Sequence, residues 1–170
     1  MKTTLGECLK IAKEYEREVQ RLIGLRREEA FAYHEKDEEP EPPSHGVVNL
    51  TEEIDALNEK IRLLRRTAAQ MNLVCRLDYT EKGETITLAE GIVLLGQLLR
   101  EREQIQPLVA QPERKREVVG FNRQVQYRSI TYDPNYVDRY AKEVENKIRR
   151  LRTAIDRANV TTYVELDIDG

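Results

Sequence analysis

The feature that most constrains this chain is a heptad. Ile54, Leu57, Ile61, Leu64, Ala68 and Met71 follow one another at steps of three, four, three, four and three residues. That spacing keeps a stripe on one side of an α-helix and offers a seam to a second helix, as in a coiled coil. Val137, Tyr140, Val144, Ile148, Leu151, Ile155 and Ala158 repeat the pattern of three- and four-residue steps near the other end of the chain. A chain with two such seams has to bury them against other helices.

The remaining helices follow from caps and stripes. A first helix is expected from about Leu5 to about Lys36, with Leu5, Leu9, Ala12, Val19, Ile23, Ala30 and Tyr33 on one face. Glu16 and Arg26 interrupt that face and call for a partner or a route to water. The heptad helix, about 20 residues long, has Asn49 or Thr51 available as N-cap and reaches Asn72. Thr87-Leu88-Ala89-Glu90 is a capping box opening a third helix that carries Leu88, Ile92, Leu95, Leu99, Arg102 and Ile105. It should stop near Pro107. Gly91 and Gly96 each weaken it by about 1 kcal/mol and suggest the close approach of another backbone. Asp133-Pro134 supplies an N-cap and a first residue for the fourth helix, which runs to Asn159.

Between the helices the pattern changes. Residues 37–48 are an acidic, proline-rich linker, densest from Asp37 to Ser44. Val74 to Thr87 has period two around Thr80-Glu81-Lys82-Gly83, which reads as a β-hairpin. Glu113 to Glu117 reads as a solvated charge run, and Val125, Tyr127, Ile130 and Tyr132 suggest one or two short strands. Thr161 to Ile168 alternates like a terminal strand. The expected fold is therefore mainly α, in a single helical domain over residues 1–170. Four long amphipathic helices form an antiparallel bundle or coiled coil, with a small β-hairpin and a short C-terminal strand.

Charge and composition narrow the function. The 28 basic residues against 31 acidic ones give a net charge of -3, without the basic excess of a protein that coats nucleic acid. Cys8 and Cys75 form no CxxC pair and read as buried small hydrophobes in a reducing compartment. His34 and His45 have no ligand-spaced partners, so no metal site and no cofactor is expected. The start of the chain has no apolar core of a signal peptide, and Gly91–Gly96 is too short to span a bilayer. A cytoplasmic location is expected. No P-loop, nucleophile elbow, Glu-x-x-His pair or dinucleotide-binding turn is present, so no catalytic residue and no enzyme activity is assigned.

Two segments repeat. Lys60-Ile61-Arg62-Leu63-Leu64-Arg65 aligns with Lys147-Ile148-Arg149-Arg150-Leu151-Arg152, and Asn72 then aligns with Asn159. Each helix is followed by a period-two segment, an arrangement that suggests two helix-Asn-strand units about a pseudo-two-fold axis. Asn72 and Asn159 are the candidate structural caps, since Asn tolerates the left-handed conformation at a helix end.

The stretch from Ile148 to Thr162 resembles the C-terminal signature of small bacterial proteins often labelled septicolysin. In that family an Arg-x-Leu-Asp-x-x-Ile-Gln-x-x-Asn-Trp pattern closes the last long helix, and Arg149, Leu151, Ile155 and Asn159 match it. Asn72 before a Gly83-Glu84-Thr85-Ile86 turn is similar as well. This chain departs from the pattern at Arg152, Asp156 and Val160, and has Val93-Leu94 where the family has an Arg-Asp pair. The resemblance implies a helical fold decorated with a hairpin, and its label implies membrane attack.

The leading functional expectation is a structural or interaction protein that forms a homo-oligomer through its heptad faces. Its candidate interface is Leu9, Glu16, Val19, Ile23, Arg26 and Ala30 of the first helix. At about 32 residues, or roughly 48 Å, that helix would outreach the second. The alternative partner is nucleic acid, met by Arg62, Arg65, Arg66, Arg149, Arg150 and Arg152. A membrane-active cytolysin is the third reading, although no segment suits insertion. The sequence names no small-molecule ligand.

Overall fold

The computed structural model describes residues 1–79, 85–119 and 124–166. The chain is mainly helical, with four helices and three two-stranded antiparallel sheets among the described residues. It divides into two compact units, Met1–Cys75 with Arg157–Gly170, and Arg76–Asp156.

The first unit is built on a helix hairpin. Strand β1 (Lys2–Thr4) runs directly into α1 (Leu5–Glu28). The Thr4 hydroxyl accepts from the Glu7 amide at 3.2 Å, and the Glu7 carboxylate accepts from the Thr4 amide at 3.0 Å, which fixes the start of α1. Helix α2 (Val47–Val74) returns antiparallel to it. The Cys8 thiol near the start of α1 donates to the Leu64 carbonyl at 3.6 Å, while Arg26 near its end donates to the Thr51 hydroxyl at 3.1 Å. Val19 and Leu22 pack with Leu50 and Ile54, and Ile23, Leu25, Leu57 and Ile61 close the edges. Each buried aliphatic side chain there contributes about 1.5–3 kcal/mol.

The limits of α1 and α2 differ from the expected ones. Helix α1 stops at Glu28 rather than Lys36, because Glu29 turns to the start of α2. Its carboxylate accepts from the amides of His45 (2.9 Å) and Gly46 (3.2 Å) and meets His45 Nδ1 at 2.8 Å. Ala30 and Tyr33 therefore lie beyond the helix, and Tyr33 is 98 % exposed. Helix α2 starts from Gly46, not from Asn49 or Thr51; Gly46 has φ +74°, a backbone conformation glycine adopts without steric cost. The result reverses the expected lengths: α1 has 24 residues and α2 has 28, so α1 does not outreach its partner. Strand β1 pairs with β6 (Tyr163–Glu165) in the register Lys2↔Glu165, Thr3↔Val164 and Thr4↔Tyr163. The C-terminal strand is thus present, and its partner is an N-terminal strand that no alternation in the sequence announces.

The second unit opens with β2 (Arg76–Asp78) paired to β3 (Thr85–Thr87), Leu77 opposite Ile86. The turn expected at 80–83 lies outside the described residues. Helix α3 (Leu88–Ile105) begins with the same capping box as α1, Thr87 with Glu90, and ends in a 3-10 turn over Gln106–Leu108 that contains Pro107. Helix α4 (Pro134–Thr161) is started by Asp133, whose carboxylate accepts from the Asn135 amide at 2.9 Å. It runs antiparallel to α3: Gly91 lies beside Leu151, while Arg102 meets Glu145 at 3.7 Å. The charge run is a correction. Arg114–Val119 is strand β4, paired with β5 (Gln124–Ser129) so that Arg116 faces Tyr127 and Val118 faces Val125. Ile130 and Tyr132 lie after β5. The Ile130 amide donates to Glu113 and the Tyr132 hydroxyl to Leu108.

Asn72 and Asn159 stand in the last turns of α2 and α4, both half-buried, and neither is a left-handed cap. Among the described residues other than glycine only Ala110 has positive φ. Helix α2 needs no such cap, since Cys75 at φ -66°, ψ 129° leads straight into β2.

The order of elements shows a repeat larger than the sequence alignment of the two heptads. The succession β-α-α-β occurs as β1-α1-α2-β2 and again as β3-α3-α4-β6, with the β4–β5 ribbon inserted between α3 and α4. Pairing crosses the copies, since the first strand of each pairs with the last strand of the other.

Candidate interaction surface

The stripe of α1 is spent inside the chain. Val19 is buried in the α1–α2 cluster, with Ile23 packed against it. Glu16 meets Arg65 at 2.7 Å, and Arg26 holds Thr51. Leu9 is half-buried and lines a shallow groove with Gly6, Lys10, Lys13, Arg65 and Asn159. Ala30 is exposed beyond the helix end.

The six arginines are all exposed. Arg62 lies 3.6 Å from Glu59, Arg65 is held by Glu16, and Arg149 donates to the Asn146 side chain at 2.9 Å. Arg62 and Arg66 share a shallow groove on α2 with Glu59 and Leu63. Arg149, Arg150 and Arg152 belong to the second unit. Carboxylates accompany the α2 ridge, so it presents mixed charge to solvent rather than a continuous basic track.

Helix α3 leaves a run of apolar residues open. Only Leu88 and Gly91, at its start, are buried. Leu94, Leu95, Leu98 and Leu99 are half-buried, while Ile92 is 48 % and Val93 60 % exposed. Along the heptad Leu88, Ile92, Leu95 and Leu99 the helix therefore presents a stripe that its own unit covers only in part. A Cβ at Gly96 would meet only the Arg100 guanidinium, at 3.9 Å, so the place beside that stripe is open. Gly91 differs: a Cβ there would stand 2.6 Å from Leu77 Cδ1. Side chains, those of Leu77, Leu151 and Ile86, rather than the expected backbone come close at Gly91, and neither comes as close at Gly96.

The β4–β5 ribbon is the second open surface. Arg114, Arg116, Val118, Val125, Tyr127 and Ser129 share one face, since directly paired residues of antiparallel strands point the same way. Val118, Val125 and Tyr127 are all exposed, and the Arg114 guanidinium lies 3.8 Å from the Tyr127 ring centre. On the other face Arg128 meets Glu117 at 3.4 Å. The period-two pattern of Val125 and Tyr127 is the sequence signal for this ribbon; the charges of β4 mask the other strand.

The perturbed titrating groups are structural. Hydrogen bonds from the His45 ring and backbone hold Glu29 below the ordinary carboxylate value. Burial raises the Cys8 thiol, and a hydrogen bond to Glu101 raises Tyr140. Among the described residues no three His, Cys, Asp or Glu side chains stand close enough to hold a metal ion.

No protein-family model matches the chain, and no curated protein matches it. A similar fold occurs in the crystal structure of a functionally unknown conserved protein from Corynebacterium diphtheriae. That protein is 21 % identical, with a TM-score of 0.69 over 97 % of this chain and 100 % of the other. The likeness is one of fold.

Proposed function

We propose that this protein is a structural, self-associating interaction module, and that copies meet through the apolar stripe of α3. The observation that carries the reading is the incomplete cover of Ile92, Leu95 and Leu99 within the chain. An apolar helix face left in water is an association site or a liability, and a second copy laying the same stripe against it removes the liability. Heptad spacing suits that contact, because two copies crossing antiparallel interdigitate their leucines as a bundle. The open place at Gly96 lets the partner backbone come near. The α1 stripe supports assembly less well, since α2 already occupies it. Cys8 and Cys75 are not joined in a disulfide, in keeping with a reducing cytoplasm as the place of action.

The nucleic-acid reading has the exposed arginines in its favour and the net charge of -3 against it. The membrane-active reading rests on the septicolysin resemblance; among the described residues no helix is long and apolar enough to cross a membrane.

Sedimentation equilibrium tests the proposal. The wild-type chain is expected at a multiple of 19.9 kDa at micromolar concentration, and Ile92→Glu at 19.9 kDa. Val93→Glu, off the stripe, should keep the wild-type mass. A monomeric wild type, or an Ile92→Glu assembly of unchanged mass, overturns it.

A further inference from the structure

The two repeat copies join their helices by connections of opposite charge. Between α1 and α2, Glu35, Asp37, Glu38, Glu39 and Glu41 stand against Lys36, a net of -4 over residues 35–41. Between α3 and α4, Arg114, Lys115, Arg116 and Arg128 stand against Glu117, a net of +3 over strands β4 and β5. Both connections lie open. Residues 31–45 are exposed throughout, including Phe31 at 72 % and Tyr33 at 98 %. Among the described residues β4 and β5 pair only with each other, and Val118, Val125 and Tyr127 face solvent.

A two-stranded ribbon solvated on both faces is marginally stable in water and gains from being covered. We infer that the ribbon of one copy docks on residues 31–41 of a second copy through the face that carries Arg114, Arg116, Val118, Val125 and Tyr127, its arginines taking the carboxylates and its apolar residues taking Phe31 and Tyr33. The match is double. Carboxylates meet guanidinium groups, and two exposed aromatics meet an exposed apolar patch beside an arginine that also stacks on a ring. Pro40, Pro42 and Pro43 keep the segment from joining the ribbon as a regular strand, so side chains carry the contact. In a two-fold pair each chain gives its ribbon and receives the other's, and the contact forms twice. This inference rests on the self-association proposed above and adds the surface that selects the partner.

Charge reversal tests it in the full chain. One variant carries Arg114→Glu and Arg116→Glu; the other carries Glu38→Lys, Glu39→Lys and Glu41→Lys. All five positions are exposed, so both variants should melt as the wild type does, which circular dichroism verifies. Each variant alone should associate at least about tenfold more weakly in sedimentation, and wild-type association should weaken with salt. Mixing the two variants should restore wild-type affinity, because each then offers what the other lacks. A wild type that is monomeric ends the self-association reading and this inference with it. An oligomer whose two variants keep wild-type affinity, or whose mixture shows no recovery, overturns this inference alone. Binding of a short DNA duplex that the ribbon variant loses, with its mass unchanged, would assign the ribbon to nucleic acid and overturn the docking.

Discussion

The two β-α-α-β copies share the chemistry of their helix starts and differ in how the space beneath them is filled. Thr4-Leu5-Gly6-Glu7 and Thr87-Leu88-Ala89-Glu90 form the same capping box, with Leu5 and Leu88 both fully buried. One residue beyond the box stands Cys8 in the first copy and Gly91 in the second. Cys8 is fully buried and donates to Leu64; Gly91 lies beside Leu151, the residue aligned with Leu64. The strand paired with the one that leads into each helix comes from the other copy, with Val164 of β6 opposite Thr3 and Leu77 of β2 opposite Ile86, both buried. Across the copies, therefore, Cys8 goes with Val164, medium with medium, and Gly91 with Leu77, smallest with largest. Backbone hydrogen bonding holds the repeat to one cap, whereas close packing fixes only the summed volume and leaves its division free.

The comparison is tested most severely by moving one pair onto the other. Gly91→Cys alone should overpack against Leu77 and cost about 1–3 kcal/mol in urea unfolding. Adding Leu77→Val should recover most of that loss, since the start of α3 and its crossed strand then carry the sizes found at the start of α1. A double variant no better than the single one would show that the volumes are not coupled.

A smaller effect should be equal in the two copies. Thr4→Ala and Thr87→Ala each remove the hydroxyl of a capping box and should each cost about 1 kcal/mol. Unfolding midpoints that separate the two losses by more than about 1 kcal/mol would break the equivalence of the helix starts.

The smallest expected effect belongs to the first copy alone and depends on pH. Glu29 has its folded value depressed from 4.5, chiefly by the His45 ring and then by backbone amides. Its contribution is therefore complete above the unfolded value and lost as pH falls through the folded one. Glu29→Gln should lower the melting temperature near neutral pH, and the gap from wild type should narrow below about pH 4. A gap that stays constant through that range would mean that the ionised carboxylate does not fasten the α1–α2 connection.

What could be read from the sequence was what is local. The Thr87–Glu90 box, the Asp133-Pro134 start and the heptads of α2 and α4 each lie within a few turns of chain, and the structure has them. Strand β1 escaped because three residues cannot show alternation and their partner lies far along the chain. The end of α1 escaped because Glu29 stops it through His45 and Gly46, after an intervening loop. Strand β4 escaped because a strand wet on both faces has no polar-apolar alternation to read. The α3 stripe shows a different limit: Leu88, Ile92, Leu95 and Leu99 announce a face, but not whether the same chain covers it.

The crossed strand pairing sets an order of events when the chain is made. The Met1 ammonium donates to the Leu166 carbonyl at 2.7 Å, a contact between residues 165 positions apart. At about 5–20 residues per second, β1 leaves the ribosome roughly 8–33 s before its partner exists. Strands β2 and β3 need no such wait, since they are neighbours along the chain and can zip as they emerge. The first-made strand is the last to be satisfied. Until β6 arrives, Thr3 lacks the Val164 that stands opposite it and the Leu5 amide lacks the Thr162 carbonyl.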